Sequence, residues 1–220
     1  MSSIISTFIP EIIIGKNYND YMENIFPTLP VIADNKLSMI DQSIIHADEG
    51  GYWLEFGVHS GETITHTAGR KLGVPNLTIH GFDSFEGLPE DWLQPETGHT
   101  NLKGHFDLEG KIPQNLLCVH NINIIKGWFD KSLPKFIKEN DINKISFLNI
   151  DSDLYSSANT VLTLLTPYFK GHCVVYFDEF CNYPGGENGE YKAFSEFLHN
   201  NKDNIEKCIP IGIGMPHGFS

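Results

Sequence analysis

Four apolar stretches of this 220-residue chain carry acids at or next to their ends. Tyr52-Trp53-Leu54-Glu55-Phe56 holds Glu55 near its tip, and residues 77–82 run into Asp83. Residues 144–150 run into Asp151, and residues 173–177 into Asp178 and Glu179. One acid after an apolar run is ordinary, because Asp favours turns and helix N-caps. Five acids brought to one edge would repel each other unless a ligand or a cation compensates. Asp151, Asp178 and Glu179 offer the oxygen ligands that a hard divalent cation such as Mg2+ takes. An ion there would act as a Lewis acid on a substrate hydroxyl; the alternative is a metal-free acidic site or a set of helix caps. Asp153 reads as a general base or as a cap for the helix expected from Ser156. Asp83 lies 22 residues beyond Gly61. An acid there can accept hydrogen bonds from both hydroxyls of a ribose, or cap its own turn, Asp83-Ser84-Phe85-Glu86-Gly87.

Gly57 and Gly61 follow the first of these runs, in Gly57-Val58-His59-Ser60-Gly61. A strand, a glycine turn and a helix form the usual opening of a nucleotide or nucleoside site, where the backbone must come close to a ligand. The spacing is Gly-x-x-x-Gly and not the dinucleotide Gly-x-Gly-x-x-Gly. Of the ten histidines, His99 and His105 sit in a long irregular stretch, residues 84–115, that follows Asp83 and should face an acceptor. Tyr155, Trp92 and Trp128 could stack on a sugar, although such aromatics are also ordinary core residues.

These residues need a frame that gathers them. From residue 51 the pattern alternates: strands at 52–56, 77–82, 123–125, 144–150, 173–177 and 208–213, with helices at 63–72, 130–140, 156–169 and 191–200 between them. Alternation of this kind implies an α/β fold, a doubly wound Rossmann-like parallel sheet with its strand ends on one edge. Two domains follow. Residues 1–49, with helices expected at 17–26 and 36–48, form a helical N-terminal extension or lid; residues 50–220 form the cofactor-binding domain.

The formal net charge of −13 disfavours nucleic acid, whose phosphates are bound through Lys and Arg, and an anionic membrane surface. No apolar run is long enough to span a bilayer. The opening residues lack a basic n-region and the four cysteines form no Cys-x-x-Cys pair, so the expected location is cytoplasmic. The apolar helical preface is compatible with a homodimer.

Leu54-Glu55-Phe56-Gly57-Val58-His59-Ser60-Gly61-Glu62-Thr63 resembles motif I of class I S-adenosylmethionine-dependent methyltransferases. Gly81-Phe82-Asp83-Ser84-Phe85-Glu86-Gly87-Leu88-Pro89 resembles, more narrowly, the macrocin-type sugar O-methyltransferases. So do Lys126-Gly127-Trp128-Phe129, Asn149-Ile150-Asp151-Ser152-Asp153-Leu154-Tyr155, and Phe177-Asp178-Glu179-Phe180 with Gly189-Glu190-Tyr191-Lys192. The blocks stand in family order over about residues 50–200.

The resemblance implies a seven-stranded sheet with one antiparallel strand, S-adenosylmethionine as methyl donor, and Mg2+-assisted methylation of a sugar hydroxyl. Glu55, Gly57, Ser60 and Gly61 would line the methionine and ribose end of the cofactor, with Asp83 and Ser84 at the ribose. Gly127, Trp128 and Phe129 would stand near the adenine. Asp151, Asp178 and Glu179 would hold the metal, with Asp151 or Asp153 as base. The acceptor would be a saccharide or nucleotide-sugar. The rivals are an NAD(P)-dependent dehydrogenase, which the glycine spacing and the carboxylate trio disfavour, and a non-catalytic cofactor-binding module. The last ten residues match nothing in the family pattern.

Overall fold

The computed structural model describes residues 3–7, 32–33, 35–94, 99–180, 185–209 and 212–214. The first expected helix, residues 17–26, and Cys181 lie outside these.

The central strands are β3 (Tyr52–Phe56), β4 (Ile79–Asp83), β7 (Ile122–Lys126), β8 (Ile145–Ile150) and β9 (His172–Phe177). β8 is buried along its whole length and β9 at all but its first residue. Strands covered on both faces need near-continuous apolar sequence, which is why these read as runs and not as alternations. The helices between them are α2 (Glu62–Arg70), α3 (Phe129–Glu139), α4 (Tyr155–Leu165) and α5 (Glu190–Asn200). Their inward residues, among them Ile64, Ala68, Leu133, Val161, Leu162 and Phe194, join the strand side chains in one core. No helix among the described residues is long and apolar enough to cross a membrane.

Two further strands, β1 (Ser3–Thr7) and β10 (Ile205–Ile209), complete the order β10-β1-β9-β8-β3-β4-β7. The antiparallel strand implied by the resemblance is not found among the described residues. All the pairings of this sheet are parallel, including β1 with β10 and with β9. The physical reason lies in the connections: β10 is reached from β9 through helix α5, and a helical crossover returns the chain in the same direction. The last expected strand, 208–213, is divided between β10 and a short β11 (Ile213–Gly214) that pairs with β2 (Ile32–Ala33). Within the long irregular stretch, β5 (Trp92–Gln94) and β6 (His99–Asn101) form an antiparallel hairpin that the sequence pattern did not signal.

The described parts of the N-terminal segment pack into this body. β1 lies inside the sheet, and helix α1 (Lys36–Ile44) buries Met39, Ile40 and Ile44 in the core. Asn35 caps α1 by accepting from the Ser38 amide at 2.9 Å. Asp41 ties α1 to α2, accepting from Arg70 and contacting His66.

The chain proceeds outward from β3 to β4 and β7, then returns to the other side of β3 as β8 and continues to β9. Strand order therefore reverses between β3 and β8. Ligands of doubly wound sheets bind in the crevice at such a reversal.

Candidate functional site

The sheet ladder continues past the strand tips. The Gly57 amide donates to the Phe82 carbonyl at 3.0 Å, Asp151 to Phe56 at 2.8 Å, Asp178 to Ile150 at 3.0 Å, and Gly127 to Asp83 at 2.8 Å. These bonds hold Gly57, Gly127, Asp151 and Asp178 in register on the carboxyl edge.

Gly57 (φ 92°) and Gly61 (φ 87°) adopt left-handed backbone conformations. A Cβ on Gly57 would stand 1.6 Å from the Asp151 carbonyl oxygen, and one on Gly61 would stand 2.2 Å from the Leu116 side chain. The turn is braced by Asp83. Its Oδ2 accepts from the Val58 and His59 amides at 2.8 and 2.7 Å, and its Oδ1 from the Phe85 amide at 2.7 Å. Asp83 therefore shapes both the glycine turn and its own turn.

Above the strand reversal lies a cavity of about 590 Å³. One end is walled by Gly57, Ser60, Asp83, Ser84, Trp128 and Phe129, the other by Asp151, Asp153, Asp178 and Glu179. The sequence-derived residues thus meet in one space, with exceptions. Glu55 faces the core, where its carboxyl accepts from Thr63 Oγ1 at 2.7 Å and Asn149 Nδ2 at 3.0 Å; burial pushes it up to about 7. Gly61 and Gly127 shape the backbone without forming wall. Tyr155 leaves the cavity: its hydroxyl donates to Glu196 at 2.6 Å, and Lys192 sits over its ring. His99 opens strand β6. His105 packs on Phe106, which is wall, but is not wall itself.

At the acidic end, Lys36 occupies the centre. Its Nζ donates to Asp151 Oδ2 at 2.6 Å and to Asp178 Oδ2 at 2.8 Å, with its side chain 20% exposed. Burial alone would lower its pKa; attraction to Asp151 and Asp178 outweighs this and holds the ammonium charged. Burial pushes the surrounding acids upward. Asp153 and Glu179 each reach about 7, helped by the charge of Asp178, and Asp151 is raised by burial and Asp178 against the pull of Lys36. With several acids and one ammonium, the cluster carries fewer negative charges than carboxyl groups.

This arrangement bears on the expected metal. Two carboxylate oxygens do converge on one cation, but the cation is the Lys36 ammonium, and Glu179 makes no contact with it. No group of three His, Cys, Asp or Glu among the described residues is arranged to hold an ion. As arranged, the donor set fits an ammonium and not a divalent ion.

Two functional residues escaped the sequence reading. Lys36 stands at the first position of a helix, where the macrodipole disfavours a cation; only the fold reveals the carboxylates that offset this. Glu190, fully buried at the start of α5, accepts from the Ser152 amide at 3.1 Å and the Glu179 amide at 3.3 Å. It joins the loops after β8 and β9, and burial raises its pKa well above the ordinary range. In sequence it stands in a block that resembles the family, with no role assigned to it.

The family model described as macrocin O-methyltransferase matches residues 34–208. Among solved structures, the chain is similar to the calicheamicin methyltransferase CalS11 at 25% identity and a TM-score of 0.56, over 75% of this chain and 71% of that one. It shares the fold of the O-methyltransferase NovP at 21% identity and a TM-score of 0.55, over 76% and 72%. No protein of curated function matches it significantly.

Proposed function

From the premise that this chain belongs to the macrocin O-methyltransferase family and is an O-methyltransferase, we propose that it methylates a hydroxyl of a saccharide using S-adenosylmethionine, with Asp153 as base. The observation that carries this reading is the shared wall: one cavity joins the Asp83-braced glycine turn to Asp153. Its volume lies within the usual range for small-molecule sites.

Bound there, S-adenosylmethionine would supply a sulfonium-activated methyl group that needs no further activation. The chain must then bind, orient and remove a proton. Trp128 and Phe129 offer flat faces for the adenine. Asp83 already accepts three backbone N–H groups, and a carboxylate has about four lone-pair sites. It therefore has room for one ribose hydroxyl, with Ser84 beside it for the second. When the acceptor oxygen takes the methyl group, with S-adenosylhomocysteine as the leaving product, the hydroxyl proton would pass to Asp153.

Asp153 suits this role better than Asp151, whose Oδ2 is engaged by Lys36. Asp153 is wall, and it holds φ 62°, uncommon for a residue with a side chain and a mark of functional sites. A base poised near 7 is about half ionised at neutral pH and basic enough to accept a proton. Magnesium assistance, implied by the resemblance, is not part of this reading, because Lys36 already serves the two carboxylates on which an ion would rest. Within residues 1–49, Lys36 contributes to the wall of the site.

Calorimetry with S-adenosylmethionine and with NAD tests the donor. Micromolar binding of the first and none of the second is expected; the reverse would overturn the reading. Transfer of labelled methyl to a saccharide panel tests the acceptor class.

A further inference from the structure

The cavity wall is charged in one sense. Among the described residues, seven of the wall carry carboxylates, against one ammonium, Lys36, already held by Asp151 and Asp178. The chain has a single arginine, Arg70, and its guanidinium is bound by Asp41 outside the wall. Sites that take phosphate or pyrophosphate meet the charge with arginine forks, lysines or open helix N-termini. Besides α1, which opens with the wall residue Lys36 and is capped by Asn35, three helices begin at this cavity. Two have an acid in the first turn, Glu62 in α2 and Asp130 in α3. The third, α4, has none, but Asp153 lies two residues ahead of it and Ser156 Oγ donates to Glu90. The remaining polar wall of that end consists of the hydroxyls of Ser156, Ser157 and Thr160 with Ser152.

Building on the reading of this site as a saccharide methyltransferase, we propose that its acceptor end selects sugars free of phosphate and carboxylate, uncharged or amino-bearing, and rejects nucleotide-linked sugars. Sugar hydroxyls donate to carboxylates and exchange hydrogen bonds with the serine and threonine hydroxyls. A diphosphate has acceptors only, and would face acids that cannot donate to it when ionised. An amino group gains from the same acids.

The test compares one sugar as its methyl glycoside, 1-phosphate, nucleoside diphosphate and amino derivatives, each with labelled S-adenosylmethionine. The phosphate-bearing forms should show kcat/KM at least about tenfold below the glycoside, with the gap narrowing as salt rises. The amino sugar should match or exceed the glycoside. Asp130→Asn and Glu179→Gln should each narrow the gap. A nucleotide-linked or phosphorylated sugar turned over as well as the glycoside overturns the proposal. A second arm needs no acceptor: the enzyme, free and loaded with S-adenosylhomocysteine, is titrated with inorganic pyrophosphate with and without magnesium. No binding is expected up to about 10 mM, and a dissociation constant below about 1 mM in any condition overturns the proposal. Failure of the methyltransferase reading looks different: no S-adenosylmethionine binding, whatever pyrophosphate does.

Discussion

The two ends of the cavity are built on opposite principles. At the glycine-turn end the one central acid, Asp83, accepts three backbone amides at 2.7–2.8 Å, so most of its hydrogen-bonding capacity fixes geometry. At the other end Asp151, Asp153, Asp178 and Glu179 lie close to one ammonium, and burial, helped by the charge of Asp178, raises the pKa values of Asp151, Asp153 and Glu179. The first end is a rigid mould for a ligand. The second is a store of proton-accepting capacity, stable only because Lys36 and the buried Glu190 clamp hold it together. The difference teaches that acids at equivalent strand ends do unlike work, decided by whether their partners are amides or each other.

Substitutions can break this contrast. The largest effect should come from Gly57→Ala, since its Cβ would overlap the Asp151 carbonyl at 1.6 Å and links both ends. Loss of soluble folded protein, or of all S-adenosylmethionine binding, is expected by circular dichroism and calorimetry. Next, Asp153→Asn should lower kcat by about 10²–10⁴ with the donor dissociation constant unchanged; unaltered kcat would return the base role to Asp151. Lys36→Met leaves its acids unpaired and should destabilise the protein by about 2–3 kcal/mol in urea unfolding. Lys36→Arg should recover most of that loss. Wild-type activity should survive excess chelator; loss restored by Mg2+ would mean that Lys36 yields its place to an ion. Asp83→Ala removes three charge-assisted hydrogen bonds. It should weaken donor binding about tenfold and cost about 2 kcal/mol, with kcat at saturation reduced far less.

A pH-dependent effect on stability lies behind the site. Burial holds His80 down to about 4. Its folded pKa lies below the usual 6.5, so the unfolded chain binds the proton first as pH falls. The stability contributed is full above about 6.5 and is lost progressively toward 4, at up to about 1.4 kcal/mol per pH unit. Urea midpoints between pH 7 and 4.5 should fall more steeply for the wild type than for His80→Asn.

Much of this was legible in the sequence. The apolar runs located β3, β8 and β9 to within a residue, because strands buried on both faces leave no room for polar alternation. The acids beyond them had to share an edge, since parallel strands joined by helices end on the same side. Asp83, Asp151, Asp153, Asp178 and Glu179 were accordingly named and are all cavity wall. Glu55 was misjudged because a strand alternates its faces and only packing shows which side meets Thr63 and Asn149. Strand β1 was missed because Ser-Ile-Ile-Ser-Thr carries no neighbour in sequence to show that it pairs with β9 and β10.

By itself, then, the sequence determined the alternating α/β plan, the carboxyl edge and the kinds of group that could work there, because these follow from local periodicity and chain direction. Tertiary structure decided the partners. Lys36 reaches Asp151 and Asp178 across 115 and 142 residues, and Glu190 reaches Ser152 across 38. Whether an acid is a brace, a base or half of an ion pair depends on which donor lies within about 3 Å, and no spacing along the chain carries that distance.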